Sequence, residues 1–132
     1  MLFSAVNHVA IIVSNLEVSL RLYRDIFGFE ELKRIDRPER KSTIVYLQGP
    51  RGVIMEIFTF PDSPKRVSFP EALGLRHIAF TTEQFDEVVG VLEEKGFPND
   101  GIRLDERTGK RVTFIQDPDG LPIEICENSE SF

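Results

Sequence analysis

The sequence predicts an α+β fold made of two βαβββ modules in tandem, and three observations point to it. A stretch of the first half recurs in the second at a nearly constant offset. Each copy passes from strand-like to helical hydrophobic spacing and back. Each copy also closes with two strand-like runs across a Gly/Pro turn. The recurrence can be read directly: NHVAIIVSNLEVSLRLYRDIFGF, from Asn7, aligns with RHIAFTTEQFDEVVGVLEEKGF, from Arg76. His8 meets His77 at an offset of 69 residues, whereas Gly28-Phe29 meets Gly96-Phe97 at 68, so the second copy is one residue shorter in its helix region. The offset of 68 then persists, matching Gln48-Gly49-Pro50-Arg51-Gly52 with Gln116-Asp117-Pro118-Asp119-Gly120, and Glu56 with Glu124.

Each element follows in order. A β-rich start (Val6 to Val13; Leu75 to Thr81) leads to a helix start signal at Ser14/Asn15 or at Thr82. Leu16, Leu20, Tyr23 and Phe27 recur at helical spacing in the first copy, and Phe85, Val88, Val89 and Leu92 in the second. Gly28 and Gly96 stand just past these runs, where a helix C′ position takes positive φ. Three strands are expected in each half, at 29–35, 43–48 and 53–59, then at 101–105, 111–116 and 121–126. The last two of each set flank GPRG or DPDG, as in a hairpin. One domain over 1–132 is therefore expected, with modules at about 4–60 and 74–128. The join, FTFPDSPKRVSFPEALGL, holds Pro61, Pro64 and Pro70, which argue against regular structure there.

Composition narrows the function classes. With 41% apolar and 29% charged residues the chain reads as an ordinary globular protein, and 11 Phe with no Trp predict a phenylalanine-rich core. A net charge of −6 disfavours nucleic acid and anionic membranes, both of which need a cationic surface. A single cysteine, Cys126, forms no internal disulfide and suits a reducing cytoplasm. No apolar run approaches the roughly 18 residues of a membrane span. The opening MLFSAVNHVA lacks a basic segment before an apolar stretch, so a cytoplasmic location is expected.

Strand parity assigns the faces. Val9, Ile11 and Val13 oppose His8, Ala10 and Ile12, while Met55 and Ile57 oppose Ile54, Glu56 and Phe58. The second copy alternates alike, with Ile78 and Phe80 against His77 and Ala79, and Leu121, Ile123 and Ile125 against Glu124 and Cys126. The all-apolar faces suit the helices; the His/Glu faces look onto a cleft. Ala10 and Ala79 each follow a His by two residues and leave room beside the imidazole.

Taken singly, a strand histidine is ordinarily a satisfied core or surface residue, and a strand glutamate ordinarily faces water. The pairing changes that. His8 and His77 are the only two histidines, at one equivalent place in the repeat, and each is matched by a glutamate 48 or 47 residues later. Glu56 and Glu124 interrupt the apolar runs VIMEIF and LPIEIC, where a buried carboxylate costs several kcal/mol unless it is paired or metal-bound. A cation explains a penalty written twice. Two neutral imidazoles and two carboxylates neutralise a divalent ion, and the mixed N/O set suits Zn²⁺ or Ni²⁺, then Co²⁺, Mn²⁺ or Fe²⁺, better than Ca²⁺. Four ligands in an octahedral shell leave two positions open, which favours catalysis over a structural role.

At NHVAIIVSNLEVSLRLYRDIFGFE, IMEIF, LRHIAF and FIQDPDGLPIEIC the chain resembles the vicinal oxygen chelate superfamily, the glyoxalase/bleomycin-resistance/dioxygenase fold, over nearly its whole length. That resemblance implies a curved mixed sheet around a metal-binding cleft. A His–Glu–His–Glu ligand set is similar to that of bacterial glyoxalase I, or lactoylglutathione lyase. Extradiol dioxygenases and fosfomycin-resistance enzymes typically show two His and one Glu. Methylmalonyl-CoA epimerases place Gln where Glu56 stands, and drug-binding members lack the ligands. The implied chemistry is isomerisation of an α-oxoaldehyde–thiol hemithioacetal, or a similar vicinal-oxygen substrate, through a metal-stabilised enediolate. Glu124 would be the base, with Glu56 the alternative. The rival readings are a dioxygenase or epimerase that keeps the metal, and a non-enzymatic small-molecule binding or resistance protein.

Where better-known bacterial glyoxalases carry an Asn- and Trp-containing stretch associated with glutathione, this chain has FTFPDSPKRVSFPEA, which leaves the thiol open. Arg34, Arg37, Arg40, Lys65, Arg66, Arg107, Lys110 and Arg111 could clamp a substrate carboxylate, although such residues are mostly solvated surface charge. Phe58, Phe60, Phe69 and Phe114 could line the cleft. The resemblance further implies a homodimer with two equivalent sites, whose ligands come from one chain or from both.

Overall fold

A computed structural model describes residues 1–128, which fall into two compact units, the first Met1–Lys65 and the second beginning at Arg66. In the first unit β1 (His8–Ile12) leads into α1 (Leu16–Leu20), followed by β2 (Glu30–Arg37), β3 (Ser42–Gln48) and β4 (Ile54–Thr59). They form a four-stranded mixed sheet in the order β1-β4-β3-β2, with β1 parallel to β4 and the other pairs antiparallel. In the second unit β5 (Ile78–Thr82), α2 (Phe85–Glu94), β6 (Arg103–Leu104), β7 (Arg111–Gln116) and β8 (Pro122–Glu127) repeat the plan in the order β5-β8-β7-β6. Both sheets have the α+β, βαβββ topology expected from the repeat. No helix among the described residues is long and apolar enough to cross a membrane.

The helices differ in a way that accounts for the shift in offset. Asn15 caps α1, its Oδ1 accepting from the Val18 amide at 3.2 Å. The chain then continues as a π-helical stretch, Arg21–Ile26, in which the Phe27 amide reaches back five residues to the Leu22 carbonyl at 2.8 Å. A π-turn absorbs one extra residue without ending the helix, so the longer first copy still arrives at Gly28 in register. The shorter α2 is α-helical throughout its length. It begins at Phe85 rather than directly at Thr82, because the Thr82 hydroxyl accepts from the Gln84 amide at 3.0 Å and holds a turn ahead of the helix. Gly28 and Gly96 carry φ of 81° and 94°, the left-handed conformation a C′ position requires.

Parity is obeyed in the cores. Ile11, Val13, Met55 and Ile57 are buried on one side of the first sheet, and Leu121, Ile123 and Ile125 on one side of the second. β1 and β5 begin two or three residues later than their β-rich starts, at His8 and Ile78, because pairing with β4 and β8 begins there. β6 shrinks to two residues, since the turn after it closes early, with Gly109 donating to the Asp105 carbonyl at 2.7 Å.

The two hairpin turns use different chemistry at matched positions. Asp117 turns the second, its Oδ1 accepting from the amides of Asp119 at 2.8 Å and Leu121 at 2.9 Å. Its counterpart, Gly49, needs the absence of a side chain instead: a Cβ there would lie 2.9–3.1 Å from three atoms of the buried Phe29 ring. The Gly49→Ala variant should therefore lower Tm by several degrees, because overpacking costs about 1–3 kcal/mol and outweighs the smaller entropic gain of replacing glycine. A thermal melt checks this, and an unchanged or higher Tm would contradict it.

Candidate functional site

In each unit the parallel strand pair brings one histidine and one glutamate together. In the first, Ala10 is the in-register partner of Glu56, and His8, on the same face, reaches diagonally so that its Nε2 lies 2.7 Å from Glu56 Oε2. In the second, Ala79 is the partner of Glu124, and His77 Nε2 lies 3.0 Å from Glu124 Oε2. The same two atoms meet in both. The carboxylates are largely shielded, with side chains 13% and 18% exposed, while the imidazoles of His8 and His77 stay open at 41% and 26%. Both alanines are exposed on that face, so the space beside each pair is kept free.

The antiparallel neighbour of each glutamate is aromatic. Tyr46 stands opposite Glu56, and Phe114 opposite Glu124. Phe114 meets the His77 ring edge-to-face at 5.1 Å, and the Arg103 guanidinium lies 5.2 Å above Phe114. Phe114 also lines a cavity of about 530 Å³ in the second unit, together with Phe69, Arg66, Arg76, Phe97 and Arg103.

The second ring nitrogens distinguish the two histidines. His8 Nδ1 lies 2.7 Å from Asn7 Oδ1 and its Nε2 2.7 Å from Glu56 Oε2, two acceptors for the single N–H of a neutral ring. One of the two contacts therefore pairs acceptor with acceptor unless a cation or a second proton stands between them. With the N–H turned to Asn7, Nε2 is free to ligate, the arrangement that metal-ligating histidines commonly adopt, so the donor chemistry of this pair fits a divalent ion. His77 is held differently. Arg76 Nη1, which can only donate, lies 3.1 Å from its Nδ1, and this puts the ring proton on Nε2, where it satisfies Glu124. For His77 to ligate through Nε2, Arg76 must release Nδ1. Among the described residues neither unit gathers three His, Cys, Asp or Glu side chains able to hold a metal ion, so one unit alone supplies half of the expected quartet.

One neighbour, placed on the Glu124 face by strand parity, was not among the expected site residues. The Cys126 thiol donates to Glu124 Oε1 at 3.5 Å, and burial, reinforced by the nearby Glu124 charge, pushes its pKa up to about 12. It is a neutral donor at physiological pH, not a thiolate. Its place two residues beyond Glu124 on β8 was the signal available.

Several of the basic residues that could clamp a substrate carboxylate are engaged within the protein. Arg34 bridges Glu17 and Glu31, and Arg111 bridges Asp86 and Glu127. The Arg34 guanidinium, aided by that of Arg24 and opposed by burial, holds the Glu31 carboxyl below its usual pKa range. Arg66 donates to the Leu75 and Arg76 carbonyls, and Arg107 faces Asp105 at 3.5 Å. Phe58 and Phe60 stack on each other, and Arg37 lies over both.

Comparison with known proteins agrees with this architecture. A family model described as the Glyoxalase/Bleomycin resistance protein/Dioxygenase superfamily matches residues 5–125. The uncharacterized protein YwkD of Bacillus subtilis is 44% identical over 127 residues, covering 96% of this chain and 99% of its own. Glyoxylase I 4 of Arabidopsis thaliana is 30% identical, covering 93% of this chain and 70% of its own. The crystal structure of the glyoxalase family protein from Enterococcus faecalis superposes with a TM-score of 0.88 at 42% identity, covering 96% of this chain and all of that one.

Proposed function

The chain belongs to the Glyoxalase/Bleomycin resistance protein/Dioxygenase superfamily, and from that membership we propose that it is a divalent-metal-dependent lyase or isomerase of the lactoylglutathione lyase type. The observation that carries this reading is the doubled pair, His8 Nε2 on Glu56 Oε2 and His77 Nε2 on Glu124 Oε2, at equivalent places in two repeats. In this proposal His8, Glu56, His77 and Glu124 are the ligands of one divalent ion, Zn²⁺ or Ni²⁺ ahead of Co²⁺, Mn²⁺ and Fe²⁺. The protein is a cytoplasmic homodimer with two equivalent sites. The ion, when bound, supplies Lewis-acid stabilisation of negative charge on two vicinal substrate oxygens.

The residues supply the rest. Glu124 takes the carbon-bound proton of an α-oxoaldehyde–thiol hemithioacetal and returns it to the neighbouring carbon. The hydroxyl-bearing carbon is oxidised to a thioester carbonyl while its neighbour is reduced from ketone to alcohol, so no external oxidant is needed. Shielding of the Glu124 carboxylate keeps competing water away, and the Cys126 thiol orients Oε1 by its hydrogen bond. Ala10 and Ala79 hold open the space in which the two oxygens sit. The name of the Arabidopsis relative, Glyoxylase I 4, supports this chemistry over the alternatives.

The test is an assay of the metal-loaded protein with methylglyoxal hemithioacetals made from several thiols. Formation of a 2-hydroxyacyl thioester is expected with at least one of them. Absence of turnover with every thiol, or oxygen uptake dependent on Fe²⁺, would overturn the lyase reading.

A further inference from the structure

We infer that Arg37, seated on the stacked rings of Phe58 and Phe60, is the receptor for a carboxylate at the far end of the substrate and so determines specificity. This rests on the reading of Glu56 as facing substrate. Phe58 follows Glu56 by two residues on β4 and projects to the same face, and Phe60 stacks on it with ring centroids 5.7 Å apart and planes 5° from parallel. The Arg37 guanidinium lies 5.6 Å from the Phe58 centroid and 6.0 Å from that of Phe60. Arg37 closes β2 opposite Ser42, and its Nη2 donates to the Ser42 hydroxyl at 3.1 Å. The cation is therefore held from one side by rings and from one edge by a hydroxyl.

Its charge is uncompensated. Arg24, Arg34 and Arg111 all hold carboxylates, whereas Arg37 holds none among the described residues. Its Nε is closed off from solvent with no acceptor. A cation that has lost water on one nitrogen and gained no anion favours binding one at its remaining edge, and a planar guanidinium on aromatic rings suits a planar carboxylate. Nothing of the kind occurs at the matched place in the second repeat, where Asp105 and Cys126 stand for Arg37 and Phe58. The asymmetry gives a substrate one orientation. Along the strand the receptor begins roughly 7 Å from Glu56, at Phe58, and ends roughly 13 Å away, at Phe60. The substrate class is thus a vicinal-oxygen compound with a carboxylate about that far from its reacting carbons, joined by an apolar stretch that lies on the rings.

The experiment uses two thiols of equal length, 6-mercaptohexanoate and 6-mercaptohexanol, titrated into the metal-stripped full-length protein while the Phe58 and Phe60 ring signals are followed by NMR. The acid should bind at least tenfold tighter than the alcohol, with both rings shifting. Arg37→Gln should abolish the preference, and Arg37→Lys, which keeps the charge without the planar fork, should retain part of it. Equal affinity for the two thiols, or a preference that Arg37→Gln leaves intact, would overturn the site. Hemithioacetals of the same thiols separate this claim from the lyase reading. A carboxylate preference without turnover of either adduct keeps the site and removes the lyase. Turnover of both with equal KM keeps the lyase and removes the site.

Discussion

Glu124→Gln should lower kcat by roughly two to four orders of magnitude, the range lost when a positioned general base is removed. Gln keeps the shape and one acceptor oxygen, so the strand pair and the fold should survive; β8 is anchored by the buried Ile123 and Ile125 on the opposite face. Glu56→Gln should weaken metal retention more than it slows the step itself, because Glu56 is assigned as ligand alone and Glu124 as ligand and base. Steady-state kinetics on metal-saturated enzyme separates the two effects. The reverse pattern, a nearly intact Glu124→Gln enzyme and a dead Glu56→Gln enzyme, would exchange their roles.

Ala10→Phe should abolish activity and reduce metal affinity at least tenfold while leaving Tm within a few degrees. Ala10 is the direct partner of Glu56 across the parallel ladder and is exposed, so a larger side chain has room to exist but only over the carboxylate. A buried substitution of this size would unfold the chain; this one should spare the fold and occlude the site. Metal titration with a thermal melt on the same sample checks it, and unchanged affinity would show that the space beside Ala10 is not used.

Much of this was legible in the sequence for one physical reason: strand geometry has a fixed period, so alternation in VIMEIF and LPIEIC placed Glu56 and Glu124 on the face opposite Met55, Ile57, Ile123 and Ile125. The repeat did the rest, pairing His8 with Glu56 and His77 with Glu124 by position. What stayed hidden depends on atoms rather than periods. The shift of offset from 69 to 68 recorded an extra residue but not that a π-turn at Arg21–Ile26 would absorb it. Neighbours along the chain, Asn7 and Arg76, set the two histidines apart, because one presents an acceptor to Nδ1 and the other a donor. The eight candidate cations looked alike in sequence, and Arg37 is marked out by its place over two rings with a closed-off Nε and no carboxylate partner among the described residues. The Glu56 and Glu124 penalty was anticipated for full burial; the strands leave both carboxylates partly open, toward the face where a ligand would bind.

The central claim is that both pairs serve one ion, and metal stoichiometry tests it most directly. Protein purified without chelators, and the His8→Ala and His77→Ala variants prepared alongside, would be dialysed against Zn²⁺ or Ni²⁺ and analysed by plasma mass spectrometry. The expected result is one ion per chain in the parent and near-complete loss in each single variant, since a site losing one of four ligands falls to a set that holds the ion weakly. Full metal content in His77→Ala, or a parent chain that refuses to bind the ion, would contradict it.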